Sequence, residues 1–278
     1  MLRSDGARHE KEESLARPGR RGTGARVGPY SVIDEHVAMG AHCVVAPHVH
    51  ITGHTTIGAH NRFHTGCVIG DAPQDLKYRD EPTRLRIGDD NVFREHCTVH
   101  RSNKAAEDTA IGSHCFFMQH SHVGHNSLVG NHAIIAGGAL LAGHVTIEDR
   151  AFISGNCLLH QFVRVGTLAM MQGGAAISKD LPPFLIARGY NGVCGLNVVG
   201  LRRAGFVAAH RMELKRLYHH LFRGGGTLQE RLESARAQFG SEASLRIIEF
   251  VAAARRGVCR DSGTRDSSDP EDEIEGGS

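Results

Sequence analysis

The stretch MQHSHVGHNSLVGN, residues 118–131, carries three histidines within six positions: His120, His122 and His125. An imidazole titrates near neutral pH, so it can act as a general base or bind a metal. The 278 residues hold 20 histidines, and some filter must separate working rings from ordinary ones. Apolar spacing supplies it. From Val27 an apolar residue returns every six positions, through Ile33, Met39, Val45, Ile51, Ile57, Phe63 and Ile69. The step resumes in phase at Ile87, Phe93 and Val99, and again from Ile111 to Ile177, which makes 23 apolar residues on one lattice. Ten histidines (His36, His42, His48, His54, His60, His96, His114, His120, His132, His144) fall three residues after a lattice position. There they are expected at corner turns, where short polar residues tolerate unusual backbone angles. His50, His64, His100, His122, His125 and His160 lie elsewhere and are the stronger candidates for chemistry.

A period of six fits neither the 3.6 of a helix nor simple alternation, but it fits a short strand plus a tight turn repeated along the chain. The pattern resembles the left-handed parallel β-helix, in which three hexads close a triangular coil of 18 residues. The expected fold class is therefore an all-β left-handed parallel β-helix with a C-terminal α-helical domain. Residues 18 apart stack on successive coils, so Asn126 lies under His144 and His125 under Gly143. This brings His125 and His144 together, with His122, His160 and Gln161 along the same stripe. No carboxylate or thiolate completes a compact ligand set there, so neither a metal nor another cofactor is expected. Excursions at 70–86 and 100–110 leave the lattice and rejoin it in phase, and loops extruded from a regular solenoid are usually functional. Cys43, Cys67, Cys97, Cys115 and Cys157 share one lattice offset and should be small, buried and reduced, the total of seven being odd and without a CxxC pair.

The prism is expected over 27–190 and a helical cap over 191–257. In the cap, Val207, Leu214, Leu217, Tyr218 and Leu221 have helical spacing, Thr227 and Glu230 form a capping box, and Ser241 caps a last helix ending at Gly257. Residues 1–26 (seven Lys/Arg, four acids) and 258–278 (seven acids, two Arg) are too poor in apolar residues to offset the entropy of ordering, and are expected to be a disordered arm and tail. A net charge of +2 argues against nucleic acid or a charged membrane as partner. No apolar run reaches the length of a membrane span and no signal segment is evident, so a cytoplasmic protein without stable membrane insertion is expected.

The segment GDAPQDLKYRDEPTRLRIGDDNVFREHCTVHR, residues 70–101, together with HVGH, LAGHV, HQF, KDLPPF and NVVGLRRAGF in order and in register, closely resembles the acyl-carrier-protein-dependent UDP-N-acetylglucosamine O-acyltransferases of lipid A biosynthesis. The resemblance covers residues 27 to about 255. It implies a homotrimer with active sites between neighbouring prisms, in which His125 is the general base that takes the proton of the sugar 3-hydroxyl as it attacks an acyl thioester. It implies substrate contacts from Gln74, Asp75, Lys77 and His100, and a groove for sugar and acyl chain lined by His122, His144, His160 and Gln161. Asn197 and Arg203 would meet the nucleotide, and Gly173 would set acyl-chain length. The implied partners are acyl carrier protein and a UDP-amino sugar. Residues 198–256 carry eleven Lys/Arg against five acids, a net +6, which suits an acidic carrier. The sequence departs from the family's usual pattern at Asn126 (usually Asp), Val199 (usually Glu) and Ala204 (usually Arg). A lost charge-assisted contact weakens binding by about 1.5–3 kcal/mol. The alternatives are a same-fold acyltransferase using another nucleotide sugar, such as a 3-amino analogue, or another acyl donor, and a non-catalytic trimeric scaffold.

Overall fold

The computed structural model describes residues 19–263; most of the expected arm and acidic tail lies outside the described residues. Within that span, strands mostly two residues long build three sheets of eight, eleven and eight strands, parallel except for one hairpin, wound as a left-handed β-helix. Register between neighbours is the expected 18 residues, as in Ile134↔Phe152 and Phe152↔Met170. All lattice residues but Val27 are buried, and Val27 packs partly buried against the same core. The lattice forms the core because each residue sits at the inward position of its strand while its neighbours face out. Phe63, Phe93 and Phe117 stack through that core at 4.9 and 4.8 Å between ring centroids. Phe93 is fully buried between the other two. Phe93→Ala should therefore lose about 3–5 kcal/mol of unfolding free energy, read from the denaturant midpoint.

The corner turns follow the spacing as well. His42, His48, His60, His96, His114, His120, His132 and His144 all take φ between 56° and 60°. His36 and His54 do not. Gly53 adopts the left-handed turn (φ 64°) in place of His54, which opens the strand His54–Ile57. All seven cysteines are reduced, and all but Cys194 are buried.

Four boundaries differ from expectation. The first coil begins at Arg20–Arg21, paired with Ala38–Met39, because backbone pairing suffices there and the lattice residue is an exposed arginine with no apolar signature. The excursions are shorter than 70–86 and 100–110: Val68–Asp71, Arg84–Ile87, Thr98–His100 and Asp108–Ile111 are strands, which leaves 72–83 and 101–107 outside the sheets. Residues 191–197 are not helical; Gly192–Leu196 forms an antiparallel hairpin with Leu185–Arg188. The chain after Gly257 returns to this hairpin, with Arg260–Asp261 pairing Gly192–Val193. Asp261, almost fully buried, holds that strand by accepting from the Tyr218 hydroxyl and from Arg223 Nε at 2.6 Å.

The cap comprises α1 (Val198–Arg203), α2 (Ala208–Arg223), α3 (Leu228–Gln238) and α4 (Glu242–Ala252). Thr227 and Glu230 form the expected capping box and Ser241 caps α4, but Val207 is itself the exposed N-cap of α2 and α4 ends before Gly257. Leu201, Leu214, Leu217, Leu232, Ile247 and Ile248 form a second core beneath these helices. Arg164 fastens the cap to the prism, bonding buried Asp180 at 2.8 Å and the Phe250 carbonyl at 3.0 Å. No helix among the described residues is long and apolar enough to cross a membrane.

Candidate active site

His122, His125 and the lattice residue Val123 belong to one turn of the prism, where alternation sets their directions. Val123 points inward, while His122 stands outward in a column shared with Thr98, Leu140, Leu158 and Ala176. His125 lies just beyond the strand, directly beneath Gly143. A Cβ added at Gly143 would sit 2.6 Å from Cε1 and Nε2 of the His125 ring. The Gly143 backbone does not occupy the left-handed region, so the glycine is required by the imidazole rather than by the turn. The stacking arithmetic holds: the His125 and His144 rings meet edge to face at 5.2 Å, and His144 stacks on Phe162 at 4.6 Å.

His122, His125 and Gly143 open on a groove of about 370 Å³. Its lining mixes polar side chains, Gln74, His100, His122, His125 and Gln161, with apolar ones, Leu140, Ala142, Leu158 and Leu159. A larger cavity of about 810 Å³ lies between a prism corner and the cap, bordered by Arg150, Phe184, Ala204 and Arg246. Size favours that cavity, but the imidazoles converge only on the smaller one, and convergence of polar groups is what a reacting centre requires.

Hydrogen bonds assign the Nδ1 proton on two of the rings. His125 Nδ1 lies 2.8 Å from Asn126 Oδ1. That amide cannot be reversed: its oxygen also accepts from the Asn103 backbone N–H at 3.0 Å, and its nitrogen donates at 2.8 Å to Glu107 Oε2 and to Ser102 Oγ. Asn126 itself sits in a left-handed turn (φ 58°), a conformation Asn tolerates, and its N–H bonds Thr109 Oγ1 at 2.7 Å. His125 must therefore donate from Nδ1, so in the neutral ring the lone pair is on Nε2. His100 Nδ1 likewise donates to the Ala72 carbonyl.

Burial, then proximity to His100 and His125, pushes His122 down to about 4. Burial, followed by His125, holds His144 below its ordinary value, opposed by Glu107 and Asp75. Both rings stay neutral at pH 7. In the unfolded chain His122 takes up a proton below its ordinary 6.5, whereas folded His122 resists until about 4. Its contribution to stability is thus complete above pH 6.5 and is lost as pH falls toward 4, up to about 3 kcal/mol. Denaturant midpoints measured between pH 7 and 4 should drop accordingly, and His122→Gln should flatten that part of the slope.

The excursions are tied to the His125 turn. Asp75 Oδ1 accepts from the Lys77 N–H at 3.0 Å and Oδ2 from Asn103 Nδ2 at 2.7 Å, which hold its carboxyl below the usual range. Asn103 in turn donates to Asn126, so the first excursion, the second and the His125 turn form one connected unit. Lys77 is exposed on that loop.

Other expected positions are not brought to the groove in a single protomer. His160 is exposed, with Nδ1 3.3 Å from Arg256 and outside the groove wall. Gly173 lies on a different corner, stacked over Gly155. Asn197 spends its amide capping α1, accepting from Gly200 N–H and donating to the Leu168 carbonyl, both at 2.9 Å. Arg203 closes α1 on the exposed side, with Val199 half exposed in the same helix. Residues that spacing did not flag are Glu107, Ser102 and Asn103, which come from an excursion outside the lattice, and Leu140 and Leu158, visible only as outward neighbours of His122. Among the described residues no three His, Cys, Asp or Glu side chains cluster closely enough to hold a metal ion.

Comparison with known proteins agrees with this architecture. A family model described as UDP N-acetylglucosamine O-acyltransferase, domain 2, matches residues 180–259. The acyl-[acyl-carrier-protein]–UDP-N-acetylglucosamine O-acyltransferase of Syntrophobacter fumaroxidans is 40% identical over 235 residues, 83% of this chain and 91% of that one. Its counterpart from Thiobacillus denitrificans is 41% identical over 255 residues, 89% of this chain and 97% of that one. The solved UDP-N-acetylglucosamine acyltransferase of Bacteroides fragilis superposes with a TM-score of 0.84 at 34% identity, covering 88% of this chain and 96% of the other. The likeness spans prism and cap together, at identities that share a family as well as a fold. The chain belongs to the acyl-[acyl-carrier-protein]–UDP-N-acetylglucosamine O-acyltransferases.

Proposed function

We propose that this chain moves an acyl chain, of the 3-hydroxyacyl type, from acyl carrier protein to the 3-hydroxyl of UDP-N-acetylglucosamine, the step with which lipid A biosynthesis begins. The observation that carries the reading is the His125 ring: Nδ1–H is anchored on Asn126, and the ring lines a groove that offers both polar and apolar side chains. An alcohol is a weak nucleophile at neutral pH. Nε2 takes its proton as the oxygen bonds to the thioester carbonyl carbon; the tetrahedral adduct then expels the carrier thiolate, which leaves with the proton held by the imidazolium. A base so placed contributes about 10²–10⁴ in rate. His122, neutral at pH 7, and His100 add hydrogen bonds for sugar and thioester, with Gln74, Asp75 and Lys77 reaching in from the first excursion. Leu140 and Leu158 give the acyl chain an apolar wall.

The working unit is a homotrimer. Leu140 and Leu158 are 44% and 49% exposed in one protomer, and such an outward apolar column is best covered by a neighbouring prism. Gly173, Asn197, Arg203 and His160 then contribute to acyl-chain length, nucleotide and groove across that interface, while His144 and Gln161 flank His125 within one protomer. The net +6 of the cap attracts the acidic carrier. The enzyme works in the cytoplasm, where its carrier-bound donor is made, and the mechanism calls for no cofactor.

Mixed acyl-carrier thioesters offered with UDP-N-acetylglucosamine and its 3-amino analogue, followed by product mass spectrometry, test the reading. An O-acylated UDP-N-acetylglucosamine is expected. Transfer only to the amine identifies a different acceptor, and transfer to neither makes the chain a scaffold.

A further inference from the structure

We infer that Glu107 is a positioning residue for the base, acting on His125 through the Asn126 side chain. This rests on His125 being the base. Three bonds carry the inference. Glu107 Oε2 accepts from Asn126 Nδ2 at 2.8 Å, Asn126 Oδ1 accepts from His125 Nδ1 at 2.8 Å, and Asn126 Oδ1 also accepts from the Asn103 N–H at 3.0 Å. An amide between a carboxylate and an imidazole has one orientation open to it, because only its nitrogen can donate to the carboxylate. Glu107 thereby fixes the Nδ1–H tautomer without touching the ring. As the imidazole gains a proton, the positive charge polarises the amide, and the carboxylate behind it stabilises that polarisation.

Glu107 is held for this task. Lys104 Nζ lies 2.9 Å from Oε1, leaving Oε2 for Asn126, and Lys104 and Asn126 together keep the carboxyl below its usual range and hence ionised. Asn126 is 6% exposed and His125 8% exposed, so solvent competes weakly for the chain of bonds. The other titratable groups facing His125 are Asp75 from the first excursion, Lys104 beside Glu107, His100 and His122 on the same wall, and His144 on the next coil. Among these, Glu107 is bonded to the residue that His125 itself bonds.

A pair of substitutions separates this role from a purely structural one. Glu107→Gln should lower kcat/KM for acyl transfer about 10-fold and move the rising limb of its pH profile to lower pH, since a proton on His125 loses its distant counter-charge. Asn126→Asp alone should also lose activity, because two carboxylates then face each other. Combining the two exchanges amide and carboxylate: the new amide at position 107 donates to the new carboxylate at position 126, which accepts from His125. The double variant should recover to within about threefold of the parent, with its pH limb at or above the parental position. Activity in Glu107→Gln that matches the parent in rate and pH limb overturns the inference. So does a loss that Asn126→Asp fails to restore while the protein stays folded by circular dichroism and its substrate KM stays near parental, for the loss then belongs to the loop and its Lys104 bridge. His125→Ala serves as the control. If it keeps parental activity, the base itself is misassigned; if it is inactive while the exchange fails, only the Glu107 role is lost.

Discussion

His125→Ala lowers kcat/KM for acyl transfer by about 10²–10⁴-fold and leaves the melting temperature and oligomeric state close to those of the parent. The effect is large because the substitution removes a ring nitrogen that is both a free acceptor in the groove and anchored on its far side. It is local because the ring lies outside the lattice: Val123 and Leu141, which fill the prism at this level, remain in place. Removing the imidazole also strands one acceptor, Asn126 Oδ1, but the Asn103 N–H still satisfies it, so little stability is lost. The measurement is steady-state transfer from an acyl carrier thioester, alongside thermal melting and sedimentation. A variant within threefold of the parent would contradict the assignment of the base.

Gly143→Ala lowers kcat/KM by about 100-fold, since a base displaced by as little as 1 Å can lose that much. The added methyl meets His125 Cε1 and Nε2 at 2.6 Å, a separation that cannot persist, and the ring must swing out of its position. The backbone at 143 accepts alanine without strain, because its φ is not positive. Folding should therefore survive while chemistry fails, which distinguishes this glycine from Gly53 or Gly138, whose φ values of 64° and 70° penalise any side chain. Parental activity in Gly143→Ala, measured in the same assay, would mean that the ring has a second productive position.

What spacing could reveal was whatever obeys the lattice. A period of six, repeated in phase, determines which residues face inward, that eight of the ten offset histidines occupy left-handed corners, and that position 125 lies beneath 143. The same rule failed where the chain is held by backbone pairing alone. Arg20–Arg21 and Arg260–Asp261 are strands without an apolar signature, so composition placed them in an arm and a tail. Glu107 and Asn103 were invisible for another reason: they lie in an excursion, and no count of residues tells where a loop will return a side chain. Asn126 stood out in sequence as a neutral amide beside the base, and its consequence became legible only with Glu107 behind it. Gly173, Asn197 and Arg203 entered through family resemblance, and one protomer does not bring them to His125.

The central claim is that a free imidazole nitrogen at position 125 activates the sugar hydroxyl, and chemical rescue tests it most directly. Purified His125→Ala protein is given acyl carrier thioester, UDP-N-acetylglucosamine and increasing imidazole, and the acylated sugar is quantified by mass spectrometry. A saturable rise in product with imidazole, absent in the parent protein, is the predicted result. Product formation by His125→Ala at the parental rate without added imidazole would contradict it.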